Sequence, residues 1–117
     1  MKEGDTIASV GSFYEQTPSY ESIQALEASV VYYISYEQLQ FIYHTFPSFN
    51  RNGLLLTQKY YRLADERNYV LRMRKLADRY NYMVKHHGEL VNRVPQGDLA
   101  TYLGISQYTL SRIRKGE

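Results

Sequence analysis

Val94-Pro95-Gln96-Gly97-Asp98-Leu99-Ala100-Thr101-Tyr102-Leu103-Gly104-Ile105-Ser106-Gln107-Tyr108-Thr109-Leu110-Ser111-Arg112-Ile113-Arg114-Lys115 is the stretch on which the fold turns. It reads as two short helices joined by a tight turn. Pro95 stands where a helix begins, a position at which its missing amide proton costs nothing. Leu99, Leu103, Ile105, Leu110 and Ile113 recur at helical spacing and supply the apolar residues that pack the pair together. Ala100 sits where the helices cross closely and a larger side chain would push them apart, while Gly104 supplies the positive φ of the turn. Ser106 then caps the second helix by offering its hydroxyl to the free amides of the first turn.

With Leu110 and Ile113 turned inward, the second helix presents Gln107, Tyr108, Ser111, Arg112 and Lys115 on its opposite face. This is the arrangement of a helix-turn-helix whose second helix enters the major groove of double-stranded DNA. Gln can make a bidentate contact with adenine and Arg with guanine, so Gln107, Tyr108, Ser111 and Arg112 are the expected base readers. Gln96, Ser106, Thr109, Arg114 and Lys115 are expected at phosphates, through amide, hydroxyl, cationic and helix N-terminal contacts. The competing reading is a helical hairpin used only for packing.

Upstream of this stretch the periodicity remains helical. Leu76, Tyr80 and Met83 share one side of a helix expected over about 75–87 and ended by Gly88. Before it, a longer helix is expected over 48–73. Phe49, Gly53, Leu56, Tyr60, Leu63, Arg67 and Val70 alternate there at spacings of four and three, a heptad seam with Gly53 and Arg67 as its flaws. Leu56, Tyr60 and Leu63 are its expected contacts with a second copy. The alternative is a long helix lying on its own domain. Ser35 is placed to cap a further helix carrying Leu39, Ile42, Tyr43 and Phe46, which stops before Pro47.

The first third of the chain has a different character. Thr6 to Val10 and Ile23 to Ile34 are rich in β-branched and aromatic residues, with Val30-Val31-Tyr32-Tyr33-Ile34 the strongest run. A short β segment is expected there, so the fold class is mainly α with a small β part. Charge divides in the same way. The net charge is only +2, but residues 1–36 carry −4, residues 37–91 carry +4 and residues 92–117 carry +2. The acidic head and the basic remainder are suited to different work.

Arg93-Val94-Pro95-Gln96, with Leu99-Ala100, Tyr102-Leu103-Gly104-Ile105-Ser106 and Thr109-Leu110-Ser111-Arg112-Ile113-Arg114, resembles the C-terminal end of Crp/Fnr-type bacterial transcription regulators, particularly members from Bacteroidetes. Ile23-Gln24-Ala25-Leu26-Glu27-Ala28-Ser29 leading into Ile34-Ser35-Tyr36 resembles the closing strands of that family's cyclic-nucleotide-binding-type β-roll. The resemblance implies that residues 1–47 are the C-terminal part of a β-roll sensor domain, 48–73 a dimerisation helix and 74–117 a winged-helix-like DNA-binding domain. It also implies a cytoplasmic homodimer on a roughly palindromic site, with RNA polymerase as a further partner.

Two departures qualify what is carried over. Only the last few strands of the roll would be present, so the chain is expected either to lack an N-terminal half or to be a shortened regulator whose strand edges are covered. Aligned on 25–36, the Glu and Arg by which nucleotide-binding members hold ribose and phosphate fall at Ser9 and Ser19, and the hydroxyl residue that follows falls at Tyr20. Without that cation, cyclic AMP and cyclic GMP are not expected to bind, and no cofactor is assigned. Members often carry Glu where this chain has Tyr108, so no site preference transfers.

Other chemistry finds little support. The chain has no cysteine, which fits a reducing compartment and leaves a metal site only three histidines and carboxylates. His86-His87 beside Glu89 reads as a polar helix end, because adjacent histidines point to different sides of a helix. The 13 tyrosines could stack bases, but their spacing suits core and interface roles better. No phosphate loop, nucleophile elbow or catalytic carboxylate pair is present, and no apolar run is long enough to span a bilayer. An enzyme is not expected. The alternative function is a protein-interaction or dimerisation remnant without DNA binding.

Overall fold

The computed structural model describes residues 1–117 and is mainly helical. The elements run α1 Val10–Glu15, α2 Tyr36–Thr45, α3 Ser48–Arg72, α4 Leu76–Arg93, α5 Gln96–Leu103 and α6 Gln107–Lys115. Residues 1–57 and 58–117 form two compact units, with α3 running from the first into the second.

In the first unit the start of α2 follows from sequence chemistry. The Ser35 hydroxyl accepts from the Gln38 amide at 3.1 Å, and the Gln38 side chain accepts from the Ser35 amide at 2.9 Å. That reciprocal capping box satisfies amides which a helix start otherwise leaves unpaired. Pro47 bars continuation, and the Phe46 and Phe49 rings meet at 6.3 Å across the turn into α3. Gly53 has a definite packing role: a Cβ there would collide with the ring and hydroxyl of Tyr43. Its place in the heptad seam is therefore a close approach of α2, rather than a flaw in the pattern.

The expected β segment does not form. No residue of the chain is in a strand, Ile23 to Ile34 has no regular structure, and the residues that follow Thr6 lead into the short helix α1. The physical reason is pairing: β-branched and aromatic residues favour a strand only where a neighbouring strand supplies the ladder and a packed face. Here Val30, Val31, Tyr32 and Tyr33 are 77–96% exposed. No strand means no roll remnant and no wing. Ser9 and Ser19 lie side by side with their hydroxyls 2.9 Å apart, and Tyr20 is exposed.

The buried core lies entirely in the second unit. Val70, Met83, Val91, Leu99, Ala100, Leu103 and Leu110 form it, with Met73, Tyr80, Tyr82, Val94 and Ile105 packed around them. These residues come from α3 to α6, so the end of the long helix and α4 form the platform on which α5 and α6 stand. The break expected at Gly88 falls one residue earlier. His87 leaves helical geometry at φ −139° and the helix then resumes to Arg93. Gly88 keeps an ordinary negative φ, so the bend is set at His87 and not by glycine's left-handed conformation.

Leu103 and Leu110 are 0% exposed, one on each helix of the α5–α6 pair. Leu103→Ala should destabilise the second unit by about 2–5 kcal/mol, the usual cost of a core cavity. Val31→Ser, on a fully solvated segment, should change stability by less than about 0.5 kcal/mol. Urea unfolding followed by circular dichroism checks the contrast, and equal effects would show that this core assignment is mistaken.

Candidate nucleic-acid interface

The turn between α5 and α6 is built as its residues dictate. Gly104 takes φ +65°, and its amide closes α5 through the carbonyls of Ala100 and Thr101. A side chain at Gly104 would be strained by that backbone conformation and would press on Arg79 and Leu71. Two residues on, the Ser106 hydroxyl accepts from the Thr109 amide at 3.0 Å and lies 2.8 Å from the Thr109 hydroxyl. Ala100, 2% exposed, is the small residue at the crossing. Helix α6 thus begins at a defined point and in a defined direction.

Its outward face carries Gln107, Tyr108 and Arg112, all exposed, with Ser111 half-buried beside them. Tyr108 is 72% exposed. The Arg112 guanidinium lies 5.9 Å from the Tyr108 ring and 3.9 Å from the Glu117 carboxylate. Both contacts are loose enough for the guanidinium to exchange them for a base edge. Gln96 donates to the Gln107 carbonyl at 3.4 Å, so the side chain at the start of α5 reaches the first turn of α6. Lys115 is exposed at the far end of α6.

Arg114 is placed otherwise than expected. It donates to the Val91 carbonyl at 3.2 Å and to the Tyr80 hydroxyl at 3.3 Å, with its guanidinium 5.7 Å from the Tyr80 ring. Those bonds hold α6 against α4, so this cation, although its side chain is exposed, already has partners within the unit. The seam residues of α3 divide along its length: Val70 is core, Leu56 is exposed, and Tyr60 and Leu63 are half-buried. Arg67 has its own partner, stacking on Tyr102 at 4.8 Å.

Two contacts that sequence reasoning missed tie the platform together. Arg79 donates to the Met73 carbonyl at 3.1 Å and to the Leu103 carbonyl at 3.0 Å, joining the α3–α4 turn to the α5–α6 turn. The signal was its position: Arg79 shares a helical face with Leu76 and Met83, where an outward cation has no place. At the bend in α4, His87 Nε2 lies 2.9 Å from Glu66 Oε1, and His86 stacks on Tyr82 at 4.2 Å. Of the paired histidines, His87 thus belongs to the α3–α4 contact, while His86 stacks within α4.

The hydrogen bond from His87 holds the Glu66 carboxyl below its ordinary value, against an opposing push from partial burial. A carboxylate depressed in the folded state stabilises above its unfolded pKa, and that stability is lost as pH falls through the lower folded value. Glu66→Gln should therefore flatten the acid limb of a melting-temperature profile and bring the variant closest to wild type at the lowest pH. Parallel profiles for both proteins from neutral to acidic pH would remove Glu66 from this role.

The chain matches no family model, no curated protein and no solved structure, so the chemistry of the face rests on the residues just described.

Proposed function

We propose that this chain is a sequence-specific DNA-binding transcription regulator of Crp/Fnr type, acting as a homodimer with α6 of each protomer in the major groove. The observation that carries the reading is the recognition face. Gln107, Tyr108 and Arg112 stand outward on a helix whose opposite side is sealed by Leu110, and whose first turn is capped by Ser106 behind a left-handed Gly104. The resemblance of residues 93–114 to the family's DNA-binding end supports the same assignment.

The division of labour follows from position along the helix. The N-terminal part of a recognition helix reaches base edges, so Gln107, Tyr108, Ser111 and Arg112 read sequence. Gln96, Ser106, Thr109 and Lys115 fix the helix on the phosphates. Thr109 is half-buried at the capped turn, with its hydroxyl 2.8 Å from that of Ser106, which places both hydroxyls at the helix N-terminus where an anion is favoured.

The test is selection of bound duplexes from a random pool, followed by affinity measurement for the enriched sequence. Arg112→Ala should cost about 1–3 kcal/mol per half-site and relax the preference at one base pair, a G·C. Thr109→Ala should weaken all sequences to a similar degree. Failure to enrich any sequence would overturn specific recognition, and an unchanged logo for Arg112→Ala would show that another element reads the site.

Dimerisation is assigned to the α3 seam, where Leu56 is exposed and Tyr60 and Leu63 are half-buried along one helical side. Burying such residues against a second copy contributes about 1.5–3 kcal/mol each. Leu56→Asp combined with Leu63→Asp should give monomers in sedimentation velocity and uncouple the two half-sites. A dimer unaffected by the pair would place the contact elsewhere.

A further inference from the structure

The α3–α4 turn is short and strongly basic. Arg72 ends α3, Arg74 and Lys75 follow Met73, and Lys75 stands at the N-cap of α4. All three side chains are exposed and none has an ion pair or hydrogen bond within the chain. Three neighbouring cations left to solvent repel one another, and a chain that needed only a connection between helices gains nothing from them.

The position of this turn is fixed by Arg79. One guanidinium binds the Met73 carbonyl at 3.1 Å and the Leu103 carbonyl at 3.0 Å, and it lies 3.4 Å from the Gly104 carbonyl. The backbone on either side of one side chain therefore belongs to the basic turn and to the turn of the helix-turn-helix. Arg74 and Lys75 are one and two residues beyond Met73, and Ser106, the cap of the recognition helix, is two beyond Gly104. Leu71 and Arg79 both lie against Gly104, which closes the junction from the side of α3 and α4.

From this juxtaposition we propose that Arg74 and Lys75 form a second phosphate-binding element of the DNA interface, set beside the start of α6 by Arg79. The proposal rests on the DNA-binding reading above and adds to it a backbone clamp. The clamp grips the strand next to the groove that α6 enters. Arg74 and Lys75 make charge-assisted contacts with phosphate oxygens, and these contacts carry no base preference. Arg79 is a positioning residue: its two carbonyl bonds need a planar fork, and it touches no DNA. Asp78, in the first turn of α4, is the one carboxylate in the same helix start.

The experiment is fluorescence anisotropy with a labelled duplex of random sequence and with the selected duplex, across about 50 to 200 mM salt. The proteins compared are wild type, Arg74→Ala/Lys75→Ala, Arg79→Gln and the triple variant. Each phosphate contact removed should flatten the dependence of log affinity on log salt by about 0.9, counted on both protomers. The double variant should lose affinity for both duplexes by a similar factor, keep the selected base preference and keep its melting temperature. Arg79→Gln should flatten the slope in the wild-type background and leave it unchanged in the double variant, a non-additivity that a merely structural role would not produce. An unchanged slope in the double variant, with wild type binding normally, would overturn the clamp and leave α6 as the reader. No binding by wild type at low salt would overturn both.

Discussion

Leu103 and Leu110 lose all contact with water because the chain reverses direction between them within a few residues, and everything else in the second unit is arranged around that closure. The reversal requires a left-handed residue at 104, a small residue at 100 and a cap at 106, and each is present. Any one of them missing would either separate the helices or leave backbone amides unpaired in a partly buried turn. The outward aim of Gln107, Tyr108 and Arg112 is a consequence of the same constraint. A helix sealed on one side by a fully buried leucine has its opposite face determined.

Around this closure the polar contacts act as ties between elements rather than as independent sources of stability. Arg79 fastens the two turns, Arg114 fastens the end of α6 to α4, and Arg67 stacks on Tyr102 to join α3 to α5. Three arginines thus spend their fixed forks or flat faces on carbonyls and rings that a lysine would hold less well. Glu66 and His87 add a tie at the bend in α4. The helices that present the candidate face are consequently short but held at both ends. Such pre-organisation lowers the ordering cost of any complex they make.

What was legible in the sequence follows the range of the interactions concerned. The caps at Ser35 and Ser106, the turn at Gly104 and the stop before Pro47 depend on residues three or four apart, and local order displays them directly. The β segment failed for the opposite reason. Val30 to Ile34 has strand composition, but a strand is a property of a pair, and composition carries no information about whether a partner is present. Arg114 is the instructive side-chain case. Its place near the end of a basic recognition helix suggested phosphate, but the decisive contacts with Val91 and Tyr80 come from residues more than twenty positions away. Gly53, read as a defect in a seam, likewise acquires its meaning only from Tyr43 across the helix pair.

The engagement of Arg114 with α4 also changes the electrostatics of the face that α6 offers. With that cation engaged on α4, α6 keeps Arg112 and Lys115 as its outward charges, and Arg112 shares its guanidinium between Tyr108 and Glu117. Two cations per helix give a modest non-specific attraction, since the affinity of a basic surface for DNA scales with the phosphates it neutralises. The excess positive charge of the chain lies instead in residues 37–91, the segment that includes Arg72, Arg74 and Lys75. Under the proposed function, the basic turn that Arg79 holds close to α6 by bridging two carbonyls supplies attraction without placing it on the reading face. On that same proposal, the division of charge along the chain becomes a division of tasks within one small unit, with grip assigned to the α3–α4 turn and choice to α6.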